Sequence, residues 1–103
     1  MPGTEIVKAQ IVEIEAELRR LGLWRDEPLE PEAYNFSQAF AMDTMPFSSW
    51  LQFIFIPRVK EIIESDRRFP SSSQVGAQAI REFDGDNAAA HLVDLLIAFD
   101  ELF

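Results

Sequence analysis

Trp50-Leu51-Gln52-Phe53-Ile54-Phe55-Ile56-Pro57-Arg58 is the most apolar run of the chain, and its reading decides the fold. A short apolar run suits a buried strand or a buried helix equally well, so the flanking residues must choose. Phe47, Leu51, Ile54, Phe55 and Ile62 follow helical spacing on one face. Phe53, Ile56 and Ile63 fall on roughly the other. A helix apolar on two sides must be surrounded by other elements. The stretch therefore reads as the central helix of a small all-α bundle.

The central helix should begin at Asp43 or Thr44. With Asp43 as cap, Met42 and Phe47 occupy the positions of a hydrophobic staple and Pro46 lies in the first turn. Pro57 is interior, where a missing N–H and a ring clash cost about 3 kcal/mol unless the helix adjusts. Val59, Ile62 and Ile63 resume the period, so the expectation is a kink near 53–57 rather than a stop. The helix should fade by Ser65–Asp66.

Upstream, Thr4 can cap a first helix running to about Leu21, with Val7, Ile11, Ile14, Leu18 and Leu21 as one narrow stripe. Such a seam can dimerise, but in so short a chain packing on the central helix is the expectation. Gly22 fits the left-handed position after a helix end, with Leu23 folding back toward Leu18. From Leu23 to Met42 no period is sustained, and Pro28 and Pro31 interrupt the chain. A connection this long needs anchors of its own, and Trp24, Tyr34, Phe36 and Phe40 are the candidates. Downstream, Ser71 and Gln74 read as a capping box for a short helix over 74–82. Asp86 caps a last helix over 87–102, with Leu92, Leu95, Leu96, Phe99, Leu102 and Phe103 on one face. The result is one domain over residues 1–103, a four-helix bundle with a long irregular loop between its first two helices.

Composition narrows the function. No cysteine is present, which removes disulfides, thiolate catalysis and sulfur-ligated metals. Eighteen acidic residues against nine basic ones give a net charge of −9. That balance repels phosphate backbones and favours a basic partner, so no direct nucleic-acid binding is expected. No apolar run is long enough to span a membrane, and Met1-Pro2-Gly3-Thr4-Glu5 lacks the start of a signal peptide. A cytoplasmic protein is the default reading.

Few residues suggest chemistry. Arg58 falls on the same helical stripe as Leu51, Ile54, Phe55 and Ile62, where a buried charge needs a carboxylate. Asp43 and Asp26 are the candidate partners in a clamp between loop and helix; the alternative is an anchor for an anion. Arg58, Lys60, Arg67 and Arg68 are the only basic concentration, and Glu61, Glu64 and Asp66 dilute it toward a solvated helix end. Asp84-Gly85-Asp86-Asn87 lacks the alternating ligands and final glutamate of a calcium loop. His91 is the single histidine, so neither a zinc site nor a nucleophile–base pair is indicated. No catalytic residue, cofactor or metal is expected. Twelve aromatic residues are mostly core, and any that stand exposed together would mark a partner surface.

Phe40-Ala41-Met42-Asp43-Thr44-Met45, followed by Trp50 to Arg58, resembles the signature of the YqcC-like family. The resemblance extends to Trp24-Arg25 and to the ending Leu95-Leu96…Phe99-Asp100-Glu101-Leu102-Phe103. Pro46 and the Ser48-Ser49 pair depart from the pattern. These are small bacterial all-α proteins with no assigned biochemical function. The resemblance implies genes beside one for a tRNA pseudouridine synthase, and hence an accessory, non-enzymatic role with that enzyme as partner. Asp43, Thr44, Trp50, Gln52 and Arg58 are the motif residues it would assign to binding, or equally to cap, core and clamp. The alternative is a small anionic ligand held in a cavity near Arg58 and Trp50.

Overall fold

The computed structural model describes residues 3–65, 68–70 and 72–103. Its helices are α1 (Thr4–Arg20), α2 (Phe47–Trp50), α3 (Ile56–Ser65), α4 (Val75–Glu82) and α5 (Ala90–Asp100). A π-helical turn over Leu51–Phe55 joins α2 to α3, so these three pieces form one continuous central helix. Four helical rods result, and no strand occurs among the described residues.

α1 buries Val7, Ile11, Ile14 and Leu18, the stripe expected from their spacing. Its cap is Gly3, one residue before the expected Thr4. At the other end Gly22 adopts φ 73°, Leu23 N donates to Leu18 O at 2.9 Å and Gly22 N donates to Arg19 O at 3.1 Å. Both last-turn carbonyls are thereby satisfied, the purpose of a left-handed residue at this position.

The central helix starts later than its sequence suggests. Pro46, with extended backbone, precedes the first helical residue Phe47. Asp43 caps the loop instead, accepting from Ser37 N and Ser37 Oγ at 3.0 Å each. Pro57 is accommodated by the π turn: Ile56 N donates to Leu51 O, five residues back, in the turn that a proline ring would otherwise crowd. The wider turn changes the phase of everything after it. Leu51, Phe55, Ile56 and Val59 enter the main core with α1 and α5, while Ile54 joins a second cluster with Leu29, Ala41 and Met45 of the loop. Arg58, placed by a regular wheel on the core stripe, is exposed.

Helix α5 packs closely on both α4 and α1, and α3 packs on α1. Gly76 makes the α4–α5 approach possible, since a Cβ there would lie 2.6 Å from Ile97 Cα. The N-terminus of α4 is capped across the bundle rather than locally. Asp100 of α5 accepts from Val75 N at 3.0 Å and Gly76 N at 2.7 Å, and from Ser73 Oγ. A carboxylate there meets orphan N–H groups and the positive end of the helix. Gln74 supplies no side-chain cap, and Ser71 lies outside the described residues. Asp86 caps as expected, accepting from Ala88 N at 3.1 Å and opening the short 3₁₀ turn that leads into α5.

Candidate functional site

The five motif residues separate into two groups. Asp43, Thr44 and Gln52 hold the long loop in place. Besides the Ser37 contacts, Asp43 accepts from Gln38 N at 3.4 Å, and the Ser37 backbone bond is the main reason its carboxyl sits below the usual range. Thr44 Oγ1 donates to Ala33 O at 2.7 Å. Gln52 is 8% exposed, and its amide takes the place of a second backbone strand. Its Oε1 accepts from Arg25 N and its Nε2 donates to Arg25 O, both at 2.9 Å. These bonds account for the donor and acceptor of a residue that no regular element satisfies. Among the apolar anchors, Trp24, Phe36 and Phe40 are partly buried, but Tyr34 is 47% exposed. Leu29 takes the buried place, and Arg19 lies over the Trp24 ring, 4.5 Å from its centroid.

Phe40 and Ala41 have φ of 58° and 52°, in the left-handed region that non-glycine residues avoid. Such strain persists only where surroundings enforce it. Phe40 packs edge-on against Trp50 at 4.9 Å and Phe47 at 6.0 Å, while Ala41 is fully buried. The loop therefore ends wedged against the central helix.

Trp50 and Arg58 form the other group. They share a hollow of about 200 Å³ between the central helix, the residues Phe69, Pro70, Ser72 and Ser73, and the end of α5. Five aromatic residues contribute to its walls. Trp50 stacks on Phe55 at 5.6 Å, Phe55 meets Phe99 edge-on at 5.0 Å, and Phe69 and Phe103 complete the ring-lined wall. Among the described residues, Arg58 is the only charged side chain in the lining. Neither Asp43 nor Asp26 pairs with it, and it makes no ion pair with any described residue. The expected clamp fails for a geometric reason: the π turn rotates Arg58 outward, and Asp43 is committed to Ser37 and Gln38.

A second concavity, of about 260 Å³, lies at the elbow between α4 and α5. Ile80, 53% exposed, forms its floor with Phe83 and Val93, and Asp84, Asp86 and Asp94 surround it. The sequence signal was present in the aspartates of the turn, but only the packing of α4 on α5 sets Val93 and Asp94 beside them. Glu17, the one other carboxyl among the described residues held below its usual range, owes this chiefly to its hydrogen bond from Arg20. No three histidine, aspartate or glutamate side chains converge as a metal site among the described residues, and His91 is exposed. No described helix is long and apolar enough to cross a membrane.

Residues 6–102 match a family profile described as tRNA pseudouridine synthase C. An uncharacterized protein of Haemophilus influenzae is 31% identical over 98 residues, 92% of this chain and 90% of that protein. Uncharacterized protein YqcC of Escherichia coli is 35% identical over 69 residues, covering 67% of this chain and 63% of its own. A protein of Pectobacterium carotovorum named tRNA pseudouridine synthase C is 36% identical over 66 residues, which are 64% of this chain but only 18% of that protein. The solution structure of E. coli YqcC superposes with a TM-score of 0.85 at 29% identity, over 99% of this chain and 88% of that one.

Proposed function

We propose, since this chain belongs to the YqcC-like family of small helical proteins, that it is a non-enzymatic accessory protein that binds a tRNA pseudouridine synthase. The observation that carries this reading is the α4–α5 elbow, where the exposed Ile80 and the half-buried Phe83 and Val93 make an apolar floor surrounded by three aspartates. An enzyme that grips tRNA needs a basic surface to neutralise phosphates. A chain of net charge −9 is attracted to such a surface, and an acid-rimmed apolar patch gives the encounter a place to dock. The name of the Pectobacterium relative agrees in direction. The segment shared with that protein is 18% of it, so most of the protein bearing that name lies outside the shared segment. A helical module serving catalysis performed elsewhere fits that proportion.

The test is calorimetric titration of this protein into tRNA pseudouridine synthase C of its own organism, at low and at high salt. Saturable binding that weakens with salt, and that is abolished by Ile80→Lys with Asp84→Lys, is expected. Ile80 is exposed and Asp84 lies in a surface turn, so the variant should fold, and its helical circular dichroism serves as the check. Absence of binding at micromolar concentrations, or binding indifferent to the variant, overturns the proposal. So does pseudouridine formation by this protein alone.

A second reading has an observation of its own. The hollow that holds Trp50 and an Arg58 without an ion pair among the described residues suits a small anionic ligand.

A further inference from the structure

We infer that the Trp50–Arg58 hollow is a binding site for a small aromatic monocarboxylate: one ring, a short arm and one carboxylate. This inference rests on the small-anion reading of that hollow and specifies its ligand.

Size, wall chemistry and charge each contribute. An apolar cavity of about 150 Å³ accommodates a benzene ring. At about 200 Å³ the hollow has room for a ring and a short arm. Five rings contribute to its walls, those of Trp50, Phe55, Phe69, Phe99 and Phe103, beside the aliphatic Val59 and Ile62. Flat walls favour a flat guest through stacked and edge-on contacts, each worth about 0.5–1.5 kcal/mol beyond area burial. An aliphatic chain of the same volume gains burial without those contacts.

The charge is set by Arg58. A guanidinium fork matches a carboxylate in a bidentate pair, and one cation neutralises one negative charge. A phosphate dianion would bring a second charge into an apolar hollow of a protein that already carries −9, with no second cationic side chain among the described residues of the lining. The other polar side chains there are hydroxyls. Ser73 is committed to Asp100, and Ser72, which is exposed, can donate to the carboxylate alongside Arg58. The π turn immediately before Ile56 is part of the same construction. It takes Arg58 off the core stripe to an exposed position among the residues that line the hollow, and turns of this kind recur at functional sites.

Phenylacetate is the probe, with 2-phenylacetamide as the neutral counterpart and hexanoate as the ringless acid. Each is titrated into the full chain by proton–nitrogen NMR. Phenylacetate should shift the signals of Trp50, Val59 and Ser72 saturably and bind about tenfold more tightly than either control. Arg58→Gln, at an exposed position, should keep the fold and lower phenylacetate affinity about tenfold, to the level of the amide. Equal binding of phenylacetate and the amide overturns both the inference and the anionic reading beneath it, as does no binding at millimolar concentrations. Equal binding of hexanoate and phenylacetate, with the amide weaker, overturns the aromatic specificity and leaves the anionic site standing.

Discussion

At the scale of single residues, the chain uses side-chain amides and carboxylates where regular backbone pairing stops. Gln52 replaces two backbone partners of Arg25 from a nearly buried position, so donor and acceptor are both required. Gln52→Ala removes both bonds, each worth about 0.5–1.5 kcal/mol net where the freed groups can reach water, as those of the exposed Arg25 can. Gln52→Glu should be at least as damaging at neutral pH, because its carboxylate cannot donate to Arg25 O and adds a poorly solvated charge. Urea unfolding of the three proteins checks this, and a Glu variant as stable as the native chain would contradict the clamp. Asp43 and Thr44 act on the same loop with shorter reach. The sequence marked all three as belonging together in a motif, yet their partners are mostly backbone atoms, which carry no residue-specific signal. That is why clamp and binding site could not be told apart from the sequence.

At the scale of elements, two helices depart from their sequence pattern for identifiable reasons. The apolar spacing of 47–63 was legible as a helix, and so was the need to accommodate Pro57. The form of the accommodation was not. A π turn displaces the angular register of the residues beyond it, so a wheel drawn at regular pitch places Arg58 on the wrong side. The second case is α4, whose cap arrives from Asp100, 24 to 25 residues away. Local capping rules search the residues next to the helix and find Ser71 and Gln74 instead. Gly76 extends the same α4–α5 contact. In an exposed helix interior, alanine is more stable than glycine by about 1 kcal/mol. Here the added Cβ would meet Ile97 Cα and N at 2.6 and 2.8 Å, both of them backbone atoms that cannot swing aside. Overpacking costs typically about 1–3 kcal/mol, so the clash should win. Gly76→Ala is therefore expected to lower the thermal midpoint, and a raised midpoint would show that α4 sits loosely on α5.

At the scale of the whole molecule, the charge of −9 acts on stability as well as on partner choice. Self-repulsion disfavours the compact state, and salt screens it over about 10 Å at 0.1 M. The melting temperature should rise as sodium chloride is added from low ionic strength, measured by circular dichroism. A fall would mean that the surface ion pairs Arg19–Glu15 and Lys60–Glu15 outweigh the net charge. The sequence by itself determined the helical class, the stripe of α1, its glycine-terminated end, the Asp86 cap and the membership of the family. All of these rest on spacing or on residues adjacent in the chain, which is the information a sequence displays directly. Only the tertiary structure decided that Arg58 is exposed, which carboxylate caps α4, and that Ile80, Phe83 and Val93 meet three aspartates at one elbow. Those outcomes depend on the pitch of one turn and on the docking of helices distant in sequence. Neither is encoded at any single position, because each is settled by the packing of all the elements together.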